Sequence, residues 1–196
     1  MVNKRDNFLT NRPCLSFDVL LPGNKPQSGA KSQPLEYPLT IYTVAGSQAP
    51  DGEKNYLYVM KWSKLHKTRY DDDSEIIDEE DIDNDEEAQT HTLTLRLDAP
   101  VNRLRSMNGC GVVALWGSDA TVSIYDCTKH LETLVEYAKY EEELIEGEEV
   151  PQKRKLEAPK DPRKKNFLLQ KFEHRMEGFA IQWSPHSVGK SDEISC

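Results

Sequence analysis

Residues 101–125, VNRLRSMNGCGVVALWGSDATVSIY, decide the fold. Three short runs rich in β-branched and aromatic residues follow one another here, and residues typical of turns separate them. The runs are Val101–Met107, Val112–Trp116 and Thr121–Tyr125, with Asn108-Gly109 and Gly117-Ser118-Asp119 between them. This spacing predicts three antiparallel strands joined by tight turns, a β-meander.

Strands of the same character are predicted on both sides of the meander. They are Cys14–Leu21, Leu39–Ala45, Tyr56–Trp62, Thr92–Leu97, Phe167–Phe172 and Phe179–Trp183. Nine short strands with turns and a few long insertions between them indicate an all-β protein built from repeated antiparallel sheets. Sandwiches and propellers show this pattern.

One segment reads as a helix. Across Lys129–Glu146, the residues Leu131, Leu134, Val135 and Ala138 form an apolar stripe close to the 3.6-residue period. A short helix is therefore expected between the meander and the strand at Phe167.

A dense acidic run, DDDSEIIDEEDIDNDEE at residues 71–87, dominates the charge of the chain. The whole sequence has 34 acidic and 25 basic residues, net −9, and without the run the balance is 22 to 25. Such a run repels itself and is predicted to be a disordered, solvated loop. Its field attracts basic partners, so its carboxylates are candidate partner-binding residues; the alternative is a solubilising spacer. They are Asp71, Asp72, Asp73, Glu75, Asp78, Glu79, Glu80, Asp81, Asp83, Asp85, Glu86 and Glu87.

A second charged segment follows the helix and changes sign along its length. Residues 141–149 hold six glutamates, whereas residues 153–165, KRKLEAPKDPRKK, hold seven bases and two prolines. Two basic groups on an exposed loop indicate a bipartite nuclear import signal formed by Lys153, Arg154, Lys155, Arg163, Lys164 and Lys165. A solvated charged loop is the alternative. No aromatic residues are interleaved with these bases, so direct nucleic-acid binding is not expected.

Motifs for catalysis and metal binding are absent from the sequence. It contains no GxSxG, HExxH, Walker or dinucleotide-binding pattern, and its five histidines are scattered. We therefore predict no enzyme activity, no catalytic residues, no metal site and no cofactor. The four cysteines are widely spaced, and neither a signal peptide nor an apolar run of membrane-spanning length is present. These features favour the cytosol or the nucleus and no membrane partner.

Four stretches, in this order, carry a resemblance to a known family: PCLSFDV at 13–19, YPLTIYTVAGSQA at 37–49, VNRLR at 101–105 and EGFAIQWSP at 177–185. The acidic run lies between the second and the third. The chain resembles the N-terminal part of the glutamate-rich WD-repeat proteins. These are nuclear and nucleolar proteins that chaperone a ribosomal protein of the large subunit, and they are related to the WD-repeat histone-binding proteins.

The resemblance implies a partial WD-repeat β-propeller of about two four-stranded antiparallel blades. The first four strands would form one blade, the next four a second, and 179–183 would open a third. The implied plan is a tail at 1–12, a truncated propeller at 13–185 with the acidic insertion 71–87 and the charged loop 141–165, and a tail at 186–196. We expect such a piece to leave a blade face uncovered.

Several individual residues acquire roles through the resemblance. Tyr125-Asp126 takes the place of the usual Trp-Asp, so Tyr125 should pack between blades. His174 takes the place of a histidine that commonly joins a buried hydrogen-bond network, while Trp116 and Trp183 should be packing residues.

The function that the resemblance implies is a non-enzymatic chaperone or scaffold in ribosome biogenesis, located in the nucleus and nucleolus. Its acidic loop and blade surface would bind a basic ribosomal protein of the large subunit. A chromatin adaptor that binds histones is the alternative, since both kinds of partner are basic.

Overall fold

The computed structural model describes residues 10, 12–20, 37–50, 52–65, 88–145 and 167–184. Within these residues the elements are β1 (Cys14–Leu20), β2 (Leu39–Ser47), β3 (Asn55–Leu65), β4 (Gln89–Leu97), β5 (Val101–Ser106), β6 (Val112–Gly117), β7 (Thr121–Asp126), α1 (Thr128–Ile145) and β8 (Leu168–Glu173). The meander of residues 101–125 is confirmed as β5, β6 and β7, and the predicted helix as α1.

The strands form two antiparallel sheets whose spatial order follows the chain. The first sheet has the order β1-β2-β3-β4 and the second β5-β6-β7-β8. The predicted division into two four-stranded blades is therefore confirmed, with strand ends shifted by a few residues. Tight connections explain why consecutive strands are neighbours: β6 and β7, for example, are joined by Ser118, Asp119 and Ala120.

The main hydrophobic core lies between the two sheets. Each strand contributes alternate residues to it, as the two-residue period of a strand requires. Members from the first sheet are Leu20, Tyr42, Val44, Leu57, Val59, Leu93 and Leu97, and members from the second are Val101, Leu104, Val113 and Leu115. Tyr125 packs against the edge of this core, which confirms its predicted position between blades. Burial there raises its pKa to about 12, and the nearby carboxylates of Asp98 and Asp119 act in the same direction.

The two sheets are also joined by polar contacts between β1 and β5. The Leu104 N–H donates to the Ser16 Oγ at 3.1 Å, and the Ser106 N–H donates to the Asp18 Oδ2 at 3.0 Å. The Ser106 hydroxyl donates to the Val19 carbonyl at 2.6 Å. Partners advance together along both strands, so β1 and β5 lie side by side and run in the same direction.

One predicted strand, Phe179–Trp183, is wrong. These residues have no strand assignment, and no strand in the described part of the chain pairs with them. The segment instead lies on the second sheet, where the Trp183 Nε1–H donates to the Arg105 carbonyl at 2.9 Å. Its apolar alternation is that of a strand, but a strand requires a backbone partner along its edge.

The buried histidine network expected at His174 is also absent from the described structure. His174 is exposed, its ring lies 4.9 Å from the Trp116 ring, and its backbone N–H donates to the Ala120 carbonyl at 2.9 Å. It directly follows the edge strand β8, whose residues are all exposed, so the ring is not enclosed. The predicted packing role of Trp116 is nevertheless met, because its indole covers both His174 and Gly178.

Candidate partner-binding surface

The long connections of the chain share one end of the two sheets. Within each antiparallel sheet, the turns after the first and third strands lie at the same end. Because β1 and β5 run in the same direction, the ends of both sheets coincide. We call this side the loop end; it is formed by the connections 21–38, 66–88, 107–111 and 127–167. The acidic run and the basic segment therefore belong to connections that leave the blades on the same side.

The acidic insertion is attached to a regular pair of strands. Ser63 on β3 is paired with Gln89 on β4, the last two strands of the first sheet. All twelve predicted partner-binding carboxylates, from Asp71 to Glu87, lie outside the described residues. Because the pairing extends to this point, both attachment points of the insertion are held at the loop end.

Helix α1 lies beside the attachment point of the acidic insertion. The Tyr137 ring lies 5.0 Å from the ring of His91, two residues after Gln89 on β4. Leu131 and Leu134 are buried in the main core. The predicted apolar stripe therefore docks the first half of the helix onto the loop end.

The start of α1 is fixed by local hydrogen bonds. The Asp126 Oδ1 accepts from the Thr128 N–H at 2.9 Å, and the Cys127 carbonyl accepts from the Leu131 N–H at 3.0 Å. A side-chain acceptor here satisfies an amide that has no partner within the helix. Its negative charge also suits the positive end of the helix dipole.

A buried histidine lies in the first turn of α1. His130 is only 1% exposed, and its ring packs edge-on against the Phe167 ring at 4.7 Å. Burial lowers the pKa of His130, and the Asp126 carboxylate opposes that shift only in part. The neutral imidazole is thus a core side chain that connects α1 to the start of β8, rather than a catalytic group.

A cleft opens between the first turns of α1 and the β5–β6 turn. Its volume is about 580 Å³, and it is lined by Gly109, Cys110, Gly111, Thr128, Leu131, Glu132, Val135 and Glu136. The cleft has an apolar floor, to which Leu131 and Val135 contribute. Burial raises the pKa of the Cys110 thiol, so this group is neutral near pH 7.

The sequence contains signals for this cleft that only the fold combines. Glu132 and Glu136 are one helical turn apart and are both exposed. Asn108-Gly109 predicted the turn, and the apolar stripe predicted the helix. Their proximity depends on the pairing of β6 with β7, which brings the Gly111 carbonyl to within 2.7 Å of the Cys127 N–H.

The predicted import signal at residues 153–165 lies outside the described residues. Its neighbours in the chain are placed, since α1 ends at Ile145 and β8 begins at Leu168.

Exposed apolar side chains mark a different surface, on the outer face of the first sheet. Leu15, Phe17 and Val19 on β1 are 57%, 71% and 44% exposed. They alternate with Ser16, which faces β5. This finding agrees with the uncovered blade face expected from the sequence.

Chemistry beyond binding has no visible basis in the placed part of the chain. No group of three or more histidine, cysteine or carboxylate side chains that could hold a metal ion occurs among the described residues. Cys14, Cys110 and Cys127 are free thiols. No helix in the described ranges is long and apolar enough to cross a membrane.

The fold and the surface together define a class of protein. Two consecutive four-stranded antiparallel blades, packed face to face with β1 beside β5, make this chain part of a WD-repeat β-propeller. Residues 7–66 match the family of the histone-binding protein RBBP4, whose description also names a component of the CAF1 complex.

Relatives identify the family more closely. The chain is 32% identical to Glutamate-rich WD repeat-containing protein 1 of Dictyostelium discoideum, over 94% of this chain and 35% of that protein. It is 28% identical to Ribosome assembly protein rrb1 of Schizosaccharomyces pombe, over 91% of this chain and 33% of the relative. Protein HEAT STRESS TOLERANT DWD 1 of Arabidopsis thaliana is 29% identical, over 96% and 40%. The chain is a homologue of the glutamate-rich WD-repeat proteins, as its motifs predicted, and spans about a third to two fifths of the length of these relatives.

Proposed function

We propose that this chain is a non-enzymatic chaperone or scaffold in ribosome biogenesis that binds a basic ribosomal protein of the large subunit. The acidic run 71–87 would attract the client, and surfaces at the loop end would recognise its shape. Two relatives support the setting, since one is named a ribosome assembly protein and another a glutamate-rich WD-repeat protein.

The observation that carries this proposal is the attachment of the acidic run. Twelve carboxylates in seventeen positions are anchored by the Ser63–Gln89 pair next to α1, which adds Glu132 and Glu136 on the same side. A concentrated negative field on one end of a rigid scaffold increases the encounter rate with basic proteins. It also competes with nucleic acid for the same basic surface, which is the task of a chaperone for a protein that binds RNA.

We also propose a nuclear and nucleolar location, with residues 153–165 as the import signal. Ribosome assembly begins where such a signal would deliver the protein. The proposed organisation is a tail at 1–12, the propeller portion at 13–185 and a second tail at 186–196.

A histone-binding chromatin adaptor is the second candidate. The observation that favours it is the match of residues 7–66 to a family described as histone-binding. The charge of the acidic run suits histones and ribosomal proteins equally.

Capture from nuclear extract separates the two candidates. The tagged chain is compared with a variant in which the twelve carboxylates of the run are replaced by Asn or Gln, and the co-purifying basic proteins are identified. Enrichment of a single large-subunit ribosomal protein by the unmodified chain alone supports the chaperone. Enrichment of core histones instead would replace it with the adaptor, and equal recovery by both chains would contradict the role of the run.

A further inference from the structure

We propose that the cleft between α1 and the β5–β6 turn binds one large apolar side chain of a polypeptide, flanked by Lys or Arg. This inference rests on the proposed function and gives it a specific site: the acidic run would attract the basic client, and the cleft would hold an anchor residue.

The shape and lining of the cleft suit an aliphatic or aromatic side chain. Its volume of about 580 Å³ lies within the range of pockets that enclose small ligands. Leu131 and Val135 offer apolar surface, and the Cys110 thiol behaves as a small apolar group. Gly109 and Gly111 add no side chain, so an occupant can approach the backbone of the turn.

The charges around the cleft select a basic occupant. Among the described residues that line it, only Glu132 and Glu136 are charged. Residues four apart lie on the same face of a helix, so both carboxylates border the same side of the opening. Both are exposed and can meet a Lys or Arg that flanks the anchor. An acidic segment would be repelled there.

The position of the cleft makes it a second contact for a client held by the acidic run. α1 reaches from the cleft to His91, close to the point where the insertion joins β4. Two linked weak contacts give a combined affinity well above that of either alone, because the second contact forms at a high effective concentration. The run would supply charge, and the cleft would supply preference for particular clients.

A binding test uses the full chain and two short synthetic peptides. Both are rich in Lys and Arg; one carries a central leucine, and its twin carries glycine there. The leucine peptide should bind about tenfold more tightly, as expected for the burial of one large apolar side chain. The double substitution Glu132→Gln and Glu136→Gln should weaken the leucine peptide by about three- to tenfold.

A matched control removes two carboxylates at the opposite end of the sheets. Asp98→Asn with Glu173→Gln changes the net charge equally, at the β4–β5 link and at the end of β8. If the cleft is the site, this variant binds the leucine peptide like the unmodified chain. Equal weakening by both pairs of substitutions would overturn the proposal, because it would indicate attraction by overall charge.

Footprinting of Cys110 locates the peptide without any substitution. Cys110 is partly buried in the cleft wall, whereas Cys14 is at the start of β1, at the opposite end of the sheets. At a peptide concentration about ten times its Kd, alkylation of Cys110 should slow roughly tenfold, with no change at Cys14. An unchanged rate at Cys110 with bound leucine peptide would contradict the site.

These results are independent of the test of the proposed function. If capture of a basic client depends on the acidic run but Cys110 is not protected, the cleft proposal fails and the chaperone proposal stands. If Cys110 is protected but the extract yields no basic client, the cleft is a peptide site and the chaperone proposal fails.

Discussion

Ser16 and Leu104, 88 residues apart in the sequence, are joined by a hydrogen bond of 3.1 Å from the Leu104 N–H to the Ser16 Oγ. Ser16 is 3% exposed and Leu104 fully buried, so water does not compete for this bond. It aligns β1 with β5 in the same direction and thereby brings the long connections of both sheets to one end. The geometry of the loop end depends on this contact between blades.

Replacing Ser16 by alanine should destabilise the chain. The Leu104 N–H would remain buried without its acceptor, at a cost of about 1–3 kcal/mol in the free energy of unfolding. Urea unfolding followed by circular dichroism measures the change. Ser118→Ala, on the exposed β6–β7 turn, is the matched control and should shift the midpoint little. Equal midpoints for Ser16→Ala and the control would show that the bond between blades contributes nothing measurable.

Replacing Gly178 by alanine should displace the segment 178–183 from the second sheet. A Cβ at this position would overlap the Trp116 indole, which covers Gly178. The hydrogen bond from Trp183 to the Arg105 carbonyl should then open. Amide exchange of 178–183 should become faster, and the Trp fluorescence should shift to longer wavelength. Ala180→Ser, at an exposed position of the same segment, serves as the control. If Gly178→Ala leaves both signals unchanged, the segment is not held by Trp116.

The stability of the chain should fall at mildly acidic pH because of His130. Its pKa is about 6.5 in an unfolded chain and is lowered by burial in the folded one. Its contribution to stability is therefore complete above about pH 6.5 and is lost as the pH falls through the lower, folded-state pKa. The slope from this one proton is at most about 1.4 kcal/mol per pH unit.

The variant His130→Leu isolates this contribution. It should remove that part of the pH dependence between about pH 7 and 5, whatever its effect on stability at neutral pH. His174→Gln changes an exposed histidine and should keep the slope. Parallel pH profiles for the unmodified chain and His130→Leu would rule out the buried imidazole as the cause.

Nuclear import should depend on the basic segment. Alanine at Lys153, Arg154, Lys155, Arg163, Lys164 and Lys165 should leave a large fluorescent fusion in the cytoplasm. As a control, alanine at Lys129 and Lys171, outside the segment, should preserve import. Nuclear fluorescence that persists in the six-residue variant counts against the signal, provided that the neutralised acidic run has excluded entry with a basic client.

Much of the fold was predictable because its strands are local patterns. The meander of residues 101–125 contains its own turns, and α1 has its own apolar stripe, so both could be located to within a few residues. The chain segment 179–183 has the pattern of a strand but lacks a partner in the described structure. Pairing is a property of the surroundings, which a local pattern does not contain.

The candidate site was less predictable because it depends on distant contacts. The charges of the acidic run were evident, but its position beside α1 follows from the Ser63–Gln89 pair and from the β1–β5 contact. The cleft at Cys110 combines a turn and a helix that only the second sheet brings together. His174 was assigned to a buried network through the resemblance, whereas in this fold it lies beyond an exposed edge strand.

The capture of a basic client by the acidic run is tested most directly by association kinetics at two salt concentrations. The unmodified chain is compared with the variant whose twelve carboxylates are Asn or Gln, using a purified basic ribosomal protein of the large subunit. We predict that neutralisation slows association and flattens its salt dependence, while the off-rate changes little, because exposed charges act on encounter and are screened within about 8 Å at physiological ionic strength. Identical on-rates and identical salt slopes for the two chains would contradict this and reduce the run to a solubilising spacer.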